Sequence, residues 1–151
     1  MPERRKHARY PFIMPVRGRL VDAEGHEHAF DAETMNVSLE GLAILYHDEA
    51  SKMKMLEAAL SDDQPVALVL TLPGTSDRID ATGVIRWYKT GGTDPSFHYL
   101  IAGLFLKGLE PDQKDQWQRL IEDRARITRE AMRLLRPPST SDHRAADIRF
   151  R

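Results

Sequence analysis

The chain of 151 residues contains no cysteine. Disulfides, cysteine-ligated metals and a cysteine nucleophile are thereby excluded, and nothing supports a disulfide-stapled secreted domain. No apolar run reaches the roughly 18–20 residues that a membrane span needs. The N-terminus is charged and lacks the apolar segment of a signal peptide. A soluble cytoplasmic protein with no membrane association is therefore expected. The formal net charge is −1, so the whole molecule has no bias toward nucleic acid or anionic surfaces. The glycine-rich phosphate loop of nucleotide hydrolases is absent, and Glu40, Asp80 and the other acids form no evident catalytic pair. No enzyme is expected.

What is present is local. Residues 1–20 hold six Arg or Lys against one acid, Glu3. The run Glu3-Arg4-Arg5-Lys6-His7-Ala8-Arg9 favours arginine, which offers a planar fork to phosphates and a flat face for stacking. It lies directly before the first strand, so its position can be fixed. From Met14 to Val21 the pattern alternates, with Val16, Gly18 and Leu20 on one face and Arg17 and Arg19 on the other, which predicts a half-buried strand. Further strands are expected at His28–Met35, Leu42–Tyr46, Pro65–Leu72, Ile79–Trp87 and Tyr99–Leu106. Gly91–Pro95 reads as a loop. Met53, Leu56, Ala59 and Leu60 fall at helical spacing within residues 50–60. Pro111–Leu135 is the one long helix, roughly 35–40 Å at 1.5 Å per residue, and Pro137-Pro138 stops it.

The expected fold is all-β with a C-terminal helix: a small six-stranded antiparallel β-barrel, a short helix between strands three and four, and one long capping helix. The expected parts are a basic ligand-binding arm (1–12), the barrel (13–110), the helix (111–135) and a flexible tail (136–151).

Between the second and third strands lies Asn36-Val37-Ser38-Leu39-Glu40-Gly41. Asn and Ser bend a backbone with their own side chains, and Gly supplies a positive φ. Alone, this is a hairpin connection, and a basic run alone is a solvated arm. In this order, with Arg5-x-x-x-Arg9 ahead of the first strand and Asn36-x-Ser38-x-x-Gly41 after it, the pair resembles the signature of the PilZ domain family, bacterial receptors for cyclic di-GMP. Val84-Ile85-Arg86-Trp87 and Ala102-Gly103-Leu104-Phe105 also fit that family, and the resemblance covers roughly residues 3–120. It implies that Arg4, Arg5, Arg9, Asn36, Ser38 and Gly41 bind cyclic di-GMP, with no other cofactor and no metal. Arg can clamp a phosphodiester, pair with guanine O6 and N7 and stack on the purine. Asn36 and Ser38 can reach a base edge or phosphate oxygen, and Gly41 admits a close backbone approach. The extra arginine at Arg4 suits an intercalated pair of ligands. Ligand charge would order the arm against the barrel and signal to an unidentified protein effector.

Other features read plainly. Trp87 and Trp117 are expected in the core or the barrel–helix contact. The six histidines are scattered; His26 and His28 share one side of a strand, but no carboxylate or cysteine set completes a metal site. Leu120, Ile127 and Leu134 recur at heptad spacing, which suggests a homo-oligomer through the helix, and with it an adaptor that works without ligand. A nucleic-acid polymer is disfavoured, since only Tyr10 and Phe12 accompany the basic arm.

Overall fold

Val16, Gly18 and Leu20 turn inward and Arg17 and Arg19 outward, as their alternation requires. The computed structural model describes residues 8–61, 63–74, 77–94 and 97–135. The expected flexible tail and most of the expected arm lie outside the described residues. The elements are β1 (Tyr10–Pro11), β2 (Pro15–Val21), β3 (Glu27–Val37), β4 (Gly41–Asp48), α1 (Ala50–Ala59), β5 (Pro65–Thr71), β6 (Arg78–Asp94), β7 (Phe97–Leu106) and α2 (Pro111–Leu134).

All pairings are antiparallel, in the order β1-β3-β2-β5-β6-β7-β4. A further β3–β4 pairing closes β2–β7 into a six-stranded barrel. Closure pairs every barrel strand on both sides over part of its length. The interior is filled by Met14, Val16, Leu42, Val66, Leu68, Leu70 and Ile79, all nearly or wholly removed from solvent.

Two expectations need correction. The short helix follows β4, because the two-residue β1 adds a strand before the others. It buries Met53, Leu56 and Ala59. Second, Gly91–Asp94 is not a loop but the end of a long β6, which pairs on to Asp94↔Phe97 across an irregular register. Glycine permits this. A Cβ on Gly91 would stand 2.3 Å from the Tyr99 ring, and Gly92 adopts φ +115°, a left-handed conformation that side chains rarely take.

Helix α2 opens with proline in its first turn and Asp112 beside it, and carries Arg133 in its last turn, both matched to the helix dipole. Its 24 residues bury only Trp117 and Ile121. The remainder of the apolar stripe runs on past the barrel, with Ile127 half exposed and Leu134 and Leu135 largely bare.

Candidate functional site

The Val37–Gly41 turn is knotted by its own serine. Ser38 N–H donates to the Gly41 carbonyl at 2.8 Å. Its hydroxyl accepts from Gly41 N–H at 3.1 Å and donates weakly to the Gly41 carbonyl at 3.3 Å. Ser38 is thus buried, and its side chain shapes the turn from within. The Ser38 carbonyl accepts from Trp117 Nε1 at 3.0 Å, which ties α2 to the turn. Gly41 is glycine for a different reason from the one expected. It is not among the positive-φ residues; a Cβ there would stand 2.1 Å from the Leu104 carbonyl oxygen, because β4 and β7 approach too closely for any side chain.

Asn36 lies just upstream, where β3 is bulged between Thr34 and Asn36. The extra residue at Met35 sets Asn36 opposite both Pro11 of β1 and Ala43 of β4. Its enclosed Oδ1 has no hydrogen-bond partner among the described residues. An enclosed acceptor without a donor costs about 1–3 kcal/mol. Thr34, unremarked in the sequence, fixes the root of the arm: its hydroxyl donates to the Phe12 carbonyl and accepts from Met14 N–H at 2.9 Å. The Phe12 ring in turn lies under the Arg124 guanidinium of α2, 4.7 Å from the ring centroid.

Beside the turn runs an open groove of about 260 Å³, bordered by Arg9, Glu40, Gly41, Arg86, Trp87 and Phe105. A second bulge builds it. The β6–β7 register shifts between Ile85 and Trp87, so Arg86 and Trp87 both face outward instead of alternating. Trp87 therefore leaves the core to which alternation assigns it: it is 39 % exposed and lies across Gly103, where a Cβ would meet its indole Nε1 at 2.3 Å. The Arg86 guanidinium stands 6.0 Å from the Phe105 ring centroid.

Of the sequence-predicted site residues, Arg9 and Gly41 border the groove, Ser38 closes the turn behind it, and Asn36 sits one strand pairing away. Arg4 and Arg5 lie outside the described residues. Sequence reasoning missed Arg86 and Trp87 as groove residues. An Arg-Trp pair opposite a glycine was the available signal; the bulge that exposes both has no signature in the residue pattern. The groove combines a flat aromatic face, guanidinium groups and a rigid turn, a set suited to a planar anionic ligand.

No curated protein matches the chain. The fold is shared with the PilZ domain of Escherichia coli YcgR, solved with c-di-GMP, at 14 % identity over 85 % of this chain and 97 % of that one, TM-score 0.60. It is shared with the Bacillus subtilis inhibitor of motility MotI/DgrA, at 14 % identity over 85 % of this chain and 53 % of that one, TM-score 0.58. It is shared also with K. pneumonia MrkH in its c-di-GMP complex, at 18 % identity over 87 % of this chain and 56 % of that one, TM-score 0.56. The chain thus spans about half the length of the latter two. The family model described as PilZ domain matches residues 3–123. With a closed six-stranded barrel, the knotted Asn-x-Ser-x-x-Gly turn and that match across most of its length, the chain belongs to the PilZ domain family.

Proposed function

We propose that this chain is a cyclic di-GMP receptor whose ligand lies in the groove between the arginine arm and the β6–β7 face. The observation that carries the reading is the convergence of Arg9, Arg86 and Trp87 beside the Ser38–Gly41 turn. Cyclic di-GMP offers two phosphodiesters and two guanines. Arg9, joined by Arg4 and Arg5, clamps phosphate and the guanine Hoogsteen edge. Trp87 supplies a stacking face, a contact worth about 1–3 kcal/mol per base. Asn36 offers its enclosed acceptor to a guanine N–H or an incoming guanidinium. Ser38 acts by holding the turn, and Gly41 by letting β4 and β7 close behind it. The extra arginine favours an intercalated pair of ligands. The relatives solved with c-di-GMP support the ligand class.

The signal leaves through α2. The Ser38 carbonyl–Trp117 hydrogen bond and the Phe12–Arg124 stack join the turn and the arm's root to one helix. Ordering the arm changes the load on both contacts and so the presentation of the bare stripe at Ile127, Leu134 and Leu135 to a protein effector. The test is calorimetric titration of cyclic di-GMP into the wild type and Arg9→Ala, with GTP as control. Binding of cyclic di-GMP but not GTP, lost in Arg9→Ala, is expected; a folded wild type that does not bind would overturn the reading.

A second reading rests on the same stripe. Leu134 and Leu135 are each 79 % exposed, a surface that self-association through α2 would cover, giving an adaptor that needs no ligand. Light scattering separates the two readings: a ligand-independent oligomer that Leu134→Glu dissociates favours the adaptor, and a mass that stays monomeric counts against it.

A further inference from the structure

The β2–β3 hairpin turns at the opposite end of β3 from the groove. Its sequence, Asp22-Ala23-Glu24-Gly25-His26-Glu27-His28, carries three carboxylates and two imidazoles, and the turn brings Asp22, Glu24 and His26 together. One oxygen of Asp22 serves the turn: Oδ1 accepts from Glu24 N–H at 2.9 Å and from His26 N–H at 2.8 Å. The other serves the histidines. Oδ2 lies 2.9 Å from His28 Nε2 and 3.7 Å from His26 Nδ1. Glu24 Oε2 stands 3.8 Å from the same His26 nitrogen. The His26 imidazole is thus almost equidistant from two carboxylates, at 3.7 and 3.8 Å, and beyond hydrogen-bonding distance of either.

Those separations have a natural reading. Ligand atoms about 2.1 Å from a tetrahedral ion stand about 3.4 Å from one another, so the two carboxylate–imidazole separations of 3.7 and 3.8 Å need close by only a few tenths of an ångström, and the exposed Glu24 side chain can swing in to complete the set. The three ligand atoms of Asp22, Glu24 and His26 all lie within 4.8 Å of one another. Two carboxylates balance a dication, and an imidazole beside them selects a borderline metal over Mg²⁺ or Ca²⁺, which take oxygen shells. His28, 20 % exposed at its side chain, holds the Asp22 carboxylate through that same Oδ2, a hydrogen bond of the kind that orients metal-bound carboxylates.

We propose that Asp22, Glu24 and His26 form a binding site for one divalent transition-metal ion of the zinc class, with His28 positioning Asp22. The ion clamps the hairpin and is independent of the groove ligand.

The test is calorimetry of the untagged full chain with ZnCl₂, with MgCl₂ as control, on the wild type, Glu24→Gln and His26→Gln. Both side chains are largely exposed, at 78 % and 74 %, so each variant is expected to fold, which a thermal melt verifies. One zinc per chain, no magnesium response, and affinity at least about tenfold weaker in each variant is expected. Amide NMR shifts on zinc addition should centre on residues 22–28. Absence of zinc binding by the wild type, or wild-type affinity in either variant, overturns the proposal. Neither outcome depends on whether cyclic di-GMP binds.

Discussion

The two tryptophans occupy two regions that use the same residue in opposite ways. Trp117 on α2 is 2 % exposed and spends its one N–H on the Ser38 carbonyl. Trp87 on β6 is 39 % exposed and rests on Gly103 beside two arginines. The first is a strut that fixes the back of the motif turn; the second is a face offered to whatever enters in front of it. Burial of an aromatic stabilises the fold, and exposure of one on a rigid bed prepares a contact. The turn between them, with Ser38 inward and Gly41 closed on Leu104, joins the buried core to the proposed ligand groove.

Substitutions can break that contrast. Trp117→Ala should produce the largest effect, about 3–5 kcal/mol of lost stability in urea denaturation, since it empties a buried site and strips the Ser38 carbonyl of its donor. Trp117→Phe should keep most of the packing and lose only the hydrogen bond. Gly41→Ala should cost about 1–3 kcal/mol, because the new methyl meets backbone at Leu104 and the strands must part. Cyclic di-GMP affinity should fall with it. Trp87→Ala should invert the pattern: a stability change under about 1 kcal/mol in the same denaturation, but roughly 1–3 kcal/mol of lost affinity by calorimetry. Equal stability losses at the two tryptophans would erase the distinction.

The smallest effect lies at the hairpin and is set by pH. The Asp22 carboxyl is lowered from 3.8 to about 2, first by the His28 hydrogen bond and then by the His26 backbone N–H. A depressed carboxylate contributes fully above its unfolded value and ceases to contribute as pH falls through the folded one. The advantage of wild type over Asp22→Asn should therefore be steady above about pH 4 and shrink toward pH 2, read from urea midpoints. A difference independent of pH would contradict this.

How far the residues foretold the molecule depends on the kind of signal. Alternation at Val16–Leu20 and Val66–Leu70 gave strand and inward face together, since period two is what a half-buried strand imposes. Alternation failed at Trp87 because one extra residue at the bulge reverses the face of everything beyond it, and no residue type announces a bulge. The Asn36–Gly41 turn was legible as a turn, but not which partner made Gly41 necessary: that is a β7 carbonyl more than sixty positions away in the chain. Gly91 and Gly92 looked like a loop because glycine serves both loops and irregular strands. Asp22, Glu24 and His26 are spaced two residues apart in the sequence, and only the folded turn brings their ligand atoms within 4.8 Å of one another.

The most direct measurement uses Trp87 as its own reporter. The chain has two tryptophans, so Trp117→Phe leaves Trp87 as the sole indole. Titrating cyclic di-GMP into that variant should quench or shift Trp87 emission along the calorimetric binding curve, and Arg9→Ala added to it should abolish the change. Full calorimetric binding with unaltered Trp87 emission would place the ligand elsewhere and contradict the assignment of the groove.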